Sequence, residues 1–173
     1  MKRLTVLAAA LGFLVAGCGS STAPTTTTPT KPTFTATLSP ANEVPPVTGS
    51  ESVVTGDATI TIDSTKDSAG NITSATATFV VNVRGLPAGS SLTNAHIHEG
   101  ATTCACPVVW QTQVTATDLT ITNGTATFTK AGISPTDVAV AQRIINNPGS
   151  FYFNVHSSDN KGGVARGVLN KVS

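Results

Sequence analysis

Apolar and polar residues alternate along most of the chain after residue 33. In residues 56–63 the side chains of Ala58, Ile60 and Ile62 are spaced by two, and the second half of residues 72–83 repeats this spacing. Side chains alternate between the two faces of a strand, so the pattern predicts strands with one face in a core. Shorter runs that favour strands lie at residues 34–38, 94–100, 107–110, 119–121, 125–128, 151–156 and 164–169.

Polar segments between these runs predict turns and one helix. Asn123-Gly124 is a pair favoured in two-residue hairpin turns. Residues 134–137 have the order typical of a helix start, with Ser134 as the N-cap, and we expect the helix over residues 138–145. Many short strands and one short helix predict an all-β fold, a Greek-key-like antiparallel β-sandwich, over residues 33–173.

The beginning of the chain has a different composition. After two basic residues, residues 4–16 form an unbroken small or apolar run, shorter than the roughly 20 residues of a membrane span. Such a run is typical of a signal peptide. It ends at Val15-Ala16-Gly17-Cys18, which looks like a bacterial lipobox. We therefore predict a lipoprotein signal peptide over residues 1–17 and a lipidated Cys18; the alternative is an ordinary secretory signal with a chance cysteine.

Residues 18–32 combine the predicted lipid anchor with a Thr/Pro-rich tether. After Cys18 this segment has no apolar residue larger than alanine, and it contains three prolines. Such a composition cannot bury enough surface to fold, and proline keeps the chain extended. We expect an exported protein that is membrane-anchored through Cys18 to the bacterial envelope, at the outer membrane or cell surface.

Charge and motifs exclude several classes of function. Only 11% of residues are charged, the formal net charge is +1, and no basic stripe occurs. Nucleic-acid binding needs clustered Lys and Arg to neutralise phosphates, so no nucleic-acid partner is predicted. The sequence also lacks a G-x-S-x-G elbow, a P-loop and a dinucleotide fingerprint, so no catalytic residues are assigned.

The three histidines of the chain concentrate the candidate chemistry. His96 and His98 would share one face of a strand, and His156 lies in a second strand-like run. If the two strands are adjacent, three imidazoles could bind one copper or zinc ion and leave one coordination position open. Two alternatives remain open, namely hydrogen bonds to Asn154, Glu43 or the backbone, and an organic-ligand site.

Two further pairs are candidates for supporting roles. Cys104 and Cys106 could form a tight disulfide, act as soft metal ligands near the histidines, or pair with another molecule. Glu43 and Arg166 have opposite charges, which predicts an ion pair or loop clamp. The alternative for Arg166 is that it guides an anion towards His156.

Four motifs, taken together, resemble the CHRD domain, named for the repeats in chordin and also found alone in bacterial proteins. The motifs are NEVPPV at 42–47, AHIHEG at 95–100, FYFNVH at 151–156 and GGVARGVL at 162–169. The resemblance spans roughly residues 33 to 170. The family has no agreed enzymatic activity, so the resemblance implies a fold more firmly than a function.

A looser likeness is to the sandwich of copper/zinc superoxide dismutase. The segment 96–99 resembles its copper-ligand strand, and Arg166 stands where that enzyme has an arginine near its C-terminus. However, the enzyme uses further histidines, and no cysteine follows Arg166 in this chain. The likeness implies a sandwich and one metal rather than dismutation.

These observations lead to two functional hypotheses. The first is an envelope-anchored CHRD-type binding module, without catalysis, that interacts with a protein or glycan. The second is a mononuclear copper- or zinc-binding protein, for metal handling or superoxide and redox protection, that uses His96, His98 and His156.

Overall fold

The protein is described here by a computed structural model that covers residues 30–173. In this part of the chain, ten strands and one α-helix follow one another. They are β1 Thr33–Leu38, β2 Thr55–Lys66, β3 Ile72–Arg84, β4 Leu92–Glu99, β5 Val108–Gln111, β6 Thr120–Thr122, β7 Thr125–Ile133, α1 Ala139–Asn146, β8 Phe151–Ser157, β9 Ala165–Val168 and β10 Asn170–Lys171.

The strands form two antiparallel sheets. The larger sheet has the order β10-β1-β2-β3-β7-β6, and the smaller one has the order β5-β4-β8-β9. Their inner faces enclose one hydrophobic core. The predicted all-β sandwich is therefore confirmed, and the predicted alternation is correct in detail because Ala58, Ile60 and Ile62 are fully buried.

Aromatic side chains join the two sheets across the core. The ring centroid of Phe79 in β3 lies 6.2 Å from that of Trp110 in β5 and 6.1 Å from that of Phe153 in β8. Ile97 of β4 pairs with both Trp110 and Phe153 in the small sheet. Since Ile97 and Phe153 point into the core, their neighbours along each strand point to the opposite, outer face.

The helix begins one residue later than the predicted range of 138–145. It starts at Ala139, and Ser134 does not cap it. Instead, the carboxylate of Asp137 accepts a hydrogen bond of 3.0 Å from the Ala139 backbone N–H. This local turn gives the backbone an alternative to helix, so the preceding residues stay outside it. The helix buries Val140, Ala141 and Ile144 against the sandwich.

The predicted hairpin turn is confirmed. Asn123 and Gly124 connect β6 to β7 with φ angles of 50° and 73°. Positive φ at both central residues is what a type I′ turn requires.

The predicted signal peptide, Cys18 and most of the tether lie outside the described residues. Within residues 30–173, no helix combines the length and apolar character needed to span a membrane.

Candidate metal centre

The three histidines converge on the outer face of the small sheet. Strands β4 and β8 are neighbours, and His156 pairs with Asn94, two residues before His96. One ring nitrogen from each of His96, His98 and His156 lies within 4.8 Å of the other two. Strand alternation placed His96 and His98 on one face, and the pairing of β4 with β8 brings His156 to them.

A carbonyl oxygen holds the Nδ1 atom of every imidazole. Nδ1 of His96 is 3.2 Å from the side-chain oxygen of Gln111, and Nδ1 of His156 is 2.8 Å from the Lys161 carbonyl oxygen. Nδ1 of His98 is 2.5 Å from the Cys106 carbonyl oxygen. A carbonyl only accepts hydrogen bonds, so each Nδ1 carries the proton. In a neutral imidazole, the Nε2 atom then presents a lone pair.

Among the described residues, the Nε2 atoms have no carbonyl partners. Those of His96 and His156 are 2.8 Å apart, while Nε2 of His98 is buried without a hydrogen-bond partner. If both Nδ1 atoms carry protons, a hydrogen bond between the two Nε2 atoms would require one ring to be an imidazolium. If both rings are neutral, the lone pairs of the two Nε2 atoms point at each other without a proton between them.

Burial opposes the imidazolium form. Desolvation lowers the pKa of His96 to about 3, with further lowering by the charges of His156 and His98. Burial also lowers the pKa of His98 and that of His156, and the positive charge of Arg166 adds to the lowering in both. The rings are therefore neutral at physiological pH, and the three histidines could hold a metal ion.

A disulfide loop covers one side of this cluster. Cys104 and Cys106 are joined to each other, which decides among the three arrangements that the sequence left open. The Tyr152 ring stacks on His98, with centroids 4.6 Å apart and planes 9° apart. The Arg166 guanidinium lies 4.8 Å from the centroid of the same tyrosine ring.

Arg166 forms a buried ion pair with Glu43. The side chain of each residue is 3% exposed, and Nε of Arg166 donates to the Glu43 carboxylate at 2.7 Å. Another guanidinium nitrogen donates to the Cys104 carbonyl oxygen at 2.8 Å. Desolvation raises the pKa of Glu43, and Arg166 offsets part of that rise. The arginine is thus bound within the protein as a loop clamp, so the alternative of a free guanidinium guiding an anion is not favoured.

The model of the CHRD domain family matches residues 34–169. This chain belongs to the CHRD domain family. A search of curated proteins and one of solved structures find no match. The CHRD domain of this protein includes all three histidines, the disulfide and the Glu43–Arg166 pair. The looser likeness to superoxide dismutase gains no support from these comparisons.

Two residues of the CHRD domain that orient the cluster were not identified from the sequence. Gln111 lies opposite His96 in the β4–β5 pair, so a correct register for those strands would have found it. Glu51 is 1% exposed and accepts hydrogen bonds from Ser90, Ser157 and Asn160. Nothing in the sequence around this lone acid marks it as buried.

Glu51 fixes the loop that supplies the Lys161 carbonyl to His156. Its carboxylate is 2.5 Å from the side-chain nitrogen of Asn160, the residue before Lys161. Burial by itself would raise the pKa of Glu51, but the hydrogen bonds from Ser157, Ser90 and Asn160 outweigh it and lower the pKa overall. The residue is therefore an ionised anchor for this loop.

Asn154 and Glu99 are strand neighbours of the histidines. Asn154 lies between His96 and Arg166 in the sheet, but its buried side-chain oxygen has no partner among the described residues. Of the hydrogen-bond partners expected for the histidines, the backbone supplies two, the Cys106 and Lys161 carbonyls. The third partner is Gln111 rather than Asn154 or Glu43. Glu99 forms a bidentate ion pair with Arg143.

Proposed function

We propose that this CHRD domain is a mononuclear metal-binding domain that takes Cu(II) or Zn(II) at His96, His98 and His156. The observation that carries the proposal is the orientation of the rings. All three Nδ1 atoms meet carbonyl oxygens, and one ring nitrogen of each histidine lies within 4.8 Å of the other two.

The energetics of the metal-free cluster support a cation at its centre. Burying a polar atom without a partner costs about 1–3 kcal/mol, and Nε2 of His98 is such an atom. Two neutral Nε2 atoms that face each other at 2.8 Å add repulsion. A metal ion would accept all three lone pairs at once.

The hydrogen bonds of the three Nδ1 atoms resemble those of histidines that bind a metal. Ligating histidines usually donate their second ring N–H to a carbonyl or carboxylate, which fixes the tautomer and the ring orientation. Here Gln111, Cys106 and Lys161 have that role. Imidazole donors suit copper and zinc, and copper binds the more tightly of the two in a given site. Metal handling or redox protection would follow from such a site.

Metal titration of the purified protein tests the proposal. After removal of metal with EDTA and dialysis, Zn(II) or Cu(II) is added in competition with a chromophoric chelator. We expect one ion per chain. Loss of an outer-shell partner lowers metal affinity about 10–100-fold. Loss of a ligand should lower it more, so we expect a larger decrease in each of the variants His96→Ala, His98→Ala and His156→Ala.

Glu99→Gln is the matched control. Glu99 follows His98 directly, yet it pairs with Arg143 rather than with the cluster, so this variant should keep the affinity of the unmodified protein. Absence of uptake at micromolar metal near neutral pH would refute the proposal. Equal losses in Glu99→Gln and in the histidine variants would do the same.

The alternative role as a module that binds an envelope protein or glycan stays a prediction. Membership of the CHRD family supports a binding function of some kind. The metal centre is preferred because specific contacts of this chain favour it.

A further inference from the structure

We infer that the Cys104–Cys106 disulfide sets the metal affinity of the three-histidine centre, so that its reduction by a dithiol releases the metal. This inference rests on the proposed function and adds redox control to it. The argument starts from the contacts that connect the disulfide loop, residues 100–107, to His98.

The first contact is direct. The carbonyl oxygen of Cys106 is the acceptor 2.5 Å from Nδ1 of His98. It is the hydrogen-bond partner that orients this ring, while Nε2 of the same ring is buried without a hydrogen-bond partner. The direction of the Cys106 carbonyl therefore determines where the His98 lone pair points.

The second contact runs through Tyr152. Its hydroxyl accepts a hydrogen bond of 3.2 Å from the Cys106 backbone N–H and donates one of 3.0 Å to the Cys104 carbonyl oxygen. Its ring stacks on His98. The tyrosine therefore contacts both half-cystines of the loop and the metal-facing ring.

Arg166 holds the N-terminal side of the loop tip through the Thr102 and Cys104 carbonyls, whereas it has no contact with Cys106 among the hydrogen bonds of the described residues. Ala101, Thr103 and Ala105 are exposed, and the backbone hydrogen bond within the tip joins Cys104 N–H to the Ala101 carbonyl oxygen at 3.2 Å. The disulfide closes a ring around Ala105 and so restricts the backbone on both sides of that residue. Without this bond the segment regains backbone conformational freedom. The Cys106 carbonyl would then no longer be held towards His98.

The reduction is a balanced two-electron exchange. A dithiol reductant gives up two electrons and two protons and becomes a disulfide itself. The Cys104–Cys106 S–S bond breaks, and two thiols form. No atom of the histidine cluster is oxidised or reduced in this step.

The test compares metal affinities of oxidised and reduced protein. One sample keeps its disulfide, and the other is treated with dithiothreitol, alkylated with iodoacetamide and freed of reagents before Zn(II) is added. Alkylation prevents the new thiols from binding the metal themselves. We expect the reduced, alkylated protein to bind Zn(II) about 10–100-fold more weakly, the range for loss of an outer-shell partner.

Two controls separate positioning from general damage. The Cys104→Ser/Cys106→Ser variant should show the same weakened affinity and no response to dithiothreitol. In a His98→Ala background, reduction should not change the residual Cu(II) affinity of the other two histidines, whereas a collapse of the whole face would lower it. Reoxidation of the reduced protein before alkylation should restore the original affinity.

The outcomes distinguish this inference from the proposed function. Equal Zn(II) affinity of the oxidised and the reduced, alkylated protein would overturn redox control and leave the metal centre intact. A loss on reduction that persists unchanged in His98→Ala would also overturn it. If the oxidised protein takes up no metal, both the centre and its control are refuted.

Discussion

Burial of the imidazoles links the stability of the metal-free protein to pH. In the folded chain the pKa of His96 is about 3, whereas the unfolded chain has the ordinary value near 6.5. Below pH 6.5 the unfolded state binds a proton that the folded state does not bind. The stabilisation is therefore present above pH 6.5 and is lost as the pH falls towards 3.

We predict that the EDTA-treated protein unfolds more easily at pH 5 than at pH 7.5, and that His96→Gln removes part of this difference. A single proton taken up only by the unfolded state costs about 1.4 kcal/mol per pH unit, so His96 should account for about 2 kcal/mol between pH 6.5 and 5. Urea unfolding at the two pH values gives the measurement. Contributions from carboxyl groups such as Glu43 occur in both proteins and cancel in the comparison. An identical pH dependence for both would contradict the prediction.

The Glu43–Arg166 pair should be far more important for stability than an exposed pair. Arg166→Met would leave a buried carboxylate unpaired, which costs about 3–5 kcal/mol. Arg84→Met is the matched control, because Arg84 and Asp57 form an ion pair with half-exposed side chains that is worth at most about 1 kcal/mol. Urea unfolding near neutral pH measures both losses.

A double variant tests the physical cause of the Arg166 effect. Glu43→Leu/Arg166→Met removes both charges, so it should be more stable than Arg166→Met alone. A double variant that is less stable than the single one would indicate that the arginine acts chiefly through its other contacts, to the Cys104 and Thr102 carbonyls.

At the scale of elements, the disulfide loop next to the candidate metal centre can be tested at Gly100, which the disulfide approaches closely. Gly100 has φ 143°, and a Cβ built on it would overlap Cys106 Sγ and lie 2.9 Å from Cys106 Cβ. Gly100→Ala should therefore displace the disulfide loop. We expect a loss of stability of more than about 1 kcal/mol and a lower Zn(II) affinity.

Gly89→Ala separates backbone strain from displacement of the loop. Gly89 also has a positive φ, 85°, but a Cβ there meets nothing within 4 Å. This variant should lose stability and keep its Zn(II) affinity, as measured by urea unfolding and chelator competition. A similar fall in affinity for both variants would show that the effect does not depend on the disulfide loop.

The strands and the Asn123-Gly124 turn were predictable, whereas the loops that orient the histidines were not. Period-two alternation identified the buried faces of β2 and β3 and placed His96 and His98 together, because the side-chain period of a strand follows from its geometry. The carbonyls of Cys106 and Lys161 could not be found in this way, since their directions depend on tertiary packing and on the disulfide. The helix start was placed too early because Asp137 forms its own turn.

At the scale of the whole molecule, the sandwich separates a core from a candidate site. The inner faces of the sheets hold the apolar residues, and the histidines lie on the outer face of the small sheet beneath its loops. The core can therefore stabilise the fold without a bound metal ion. The fold class and the family were predictable from sequence, while the buried role of Glu51 was not.

Membrane anchoring through Cys18 is a prediction about the part of the chain that precedes the described residues. In a bacterial host, Cys18→Ser should abolish incorporation of labelled fatty acid and release the protein from the membrane fraction. Zn(II) stoichiometry of the purified variant should stay at that of the unmodified protein, because Cys18 lies outside residues 34–169 that the CHRD family model matches. Continued labelling of Cys18→Ser would show that the lipobox interpretation is wrong.

The chain contains a single tyrosine and a single tryptophan, and each has a distinct position relative to the candidate centre. Tyr152 stacks directly on His98, while Trp110 is fully buried in β5, the strand that pairs with β4. Paramagnetic Cu(II) quenches nearby excited aromatic rings, whereas Zn(II) does not. The intrinsic fluorescence of Tyr152 and Trp110 can therefore be used to measure copper binding without an attached dye.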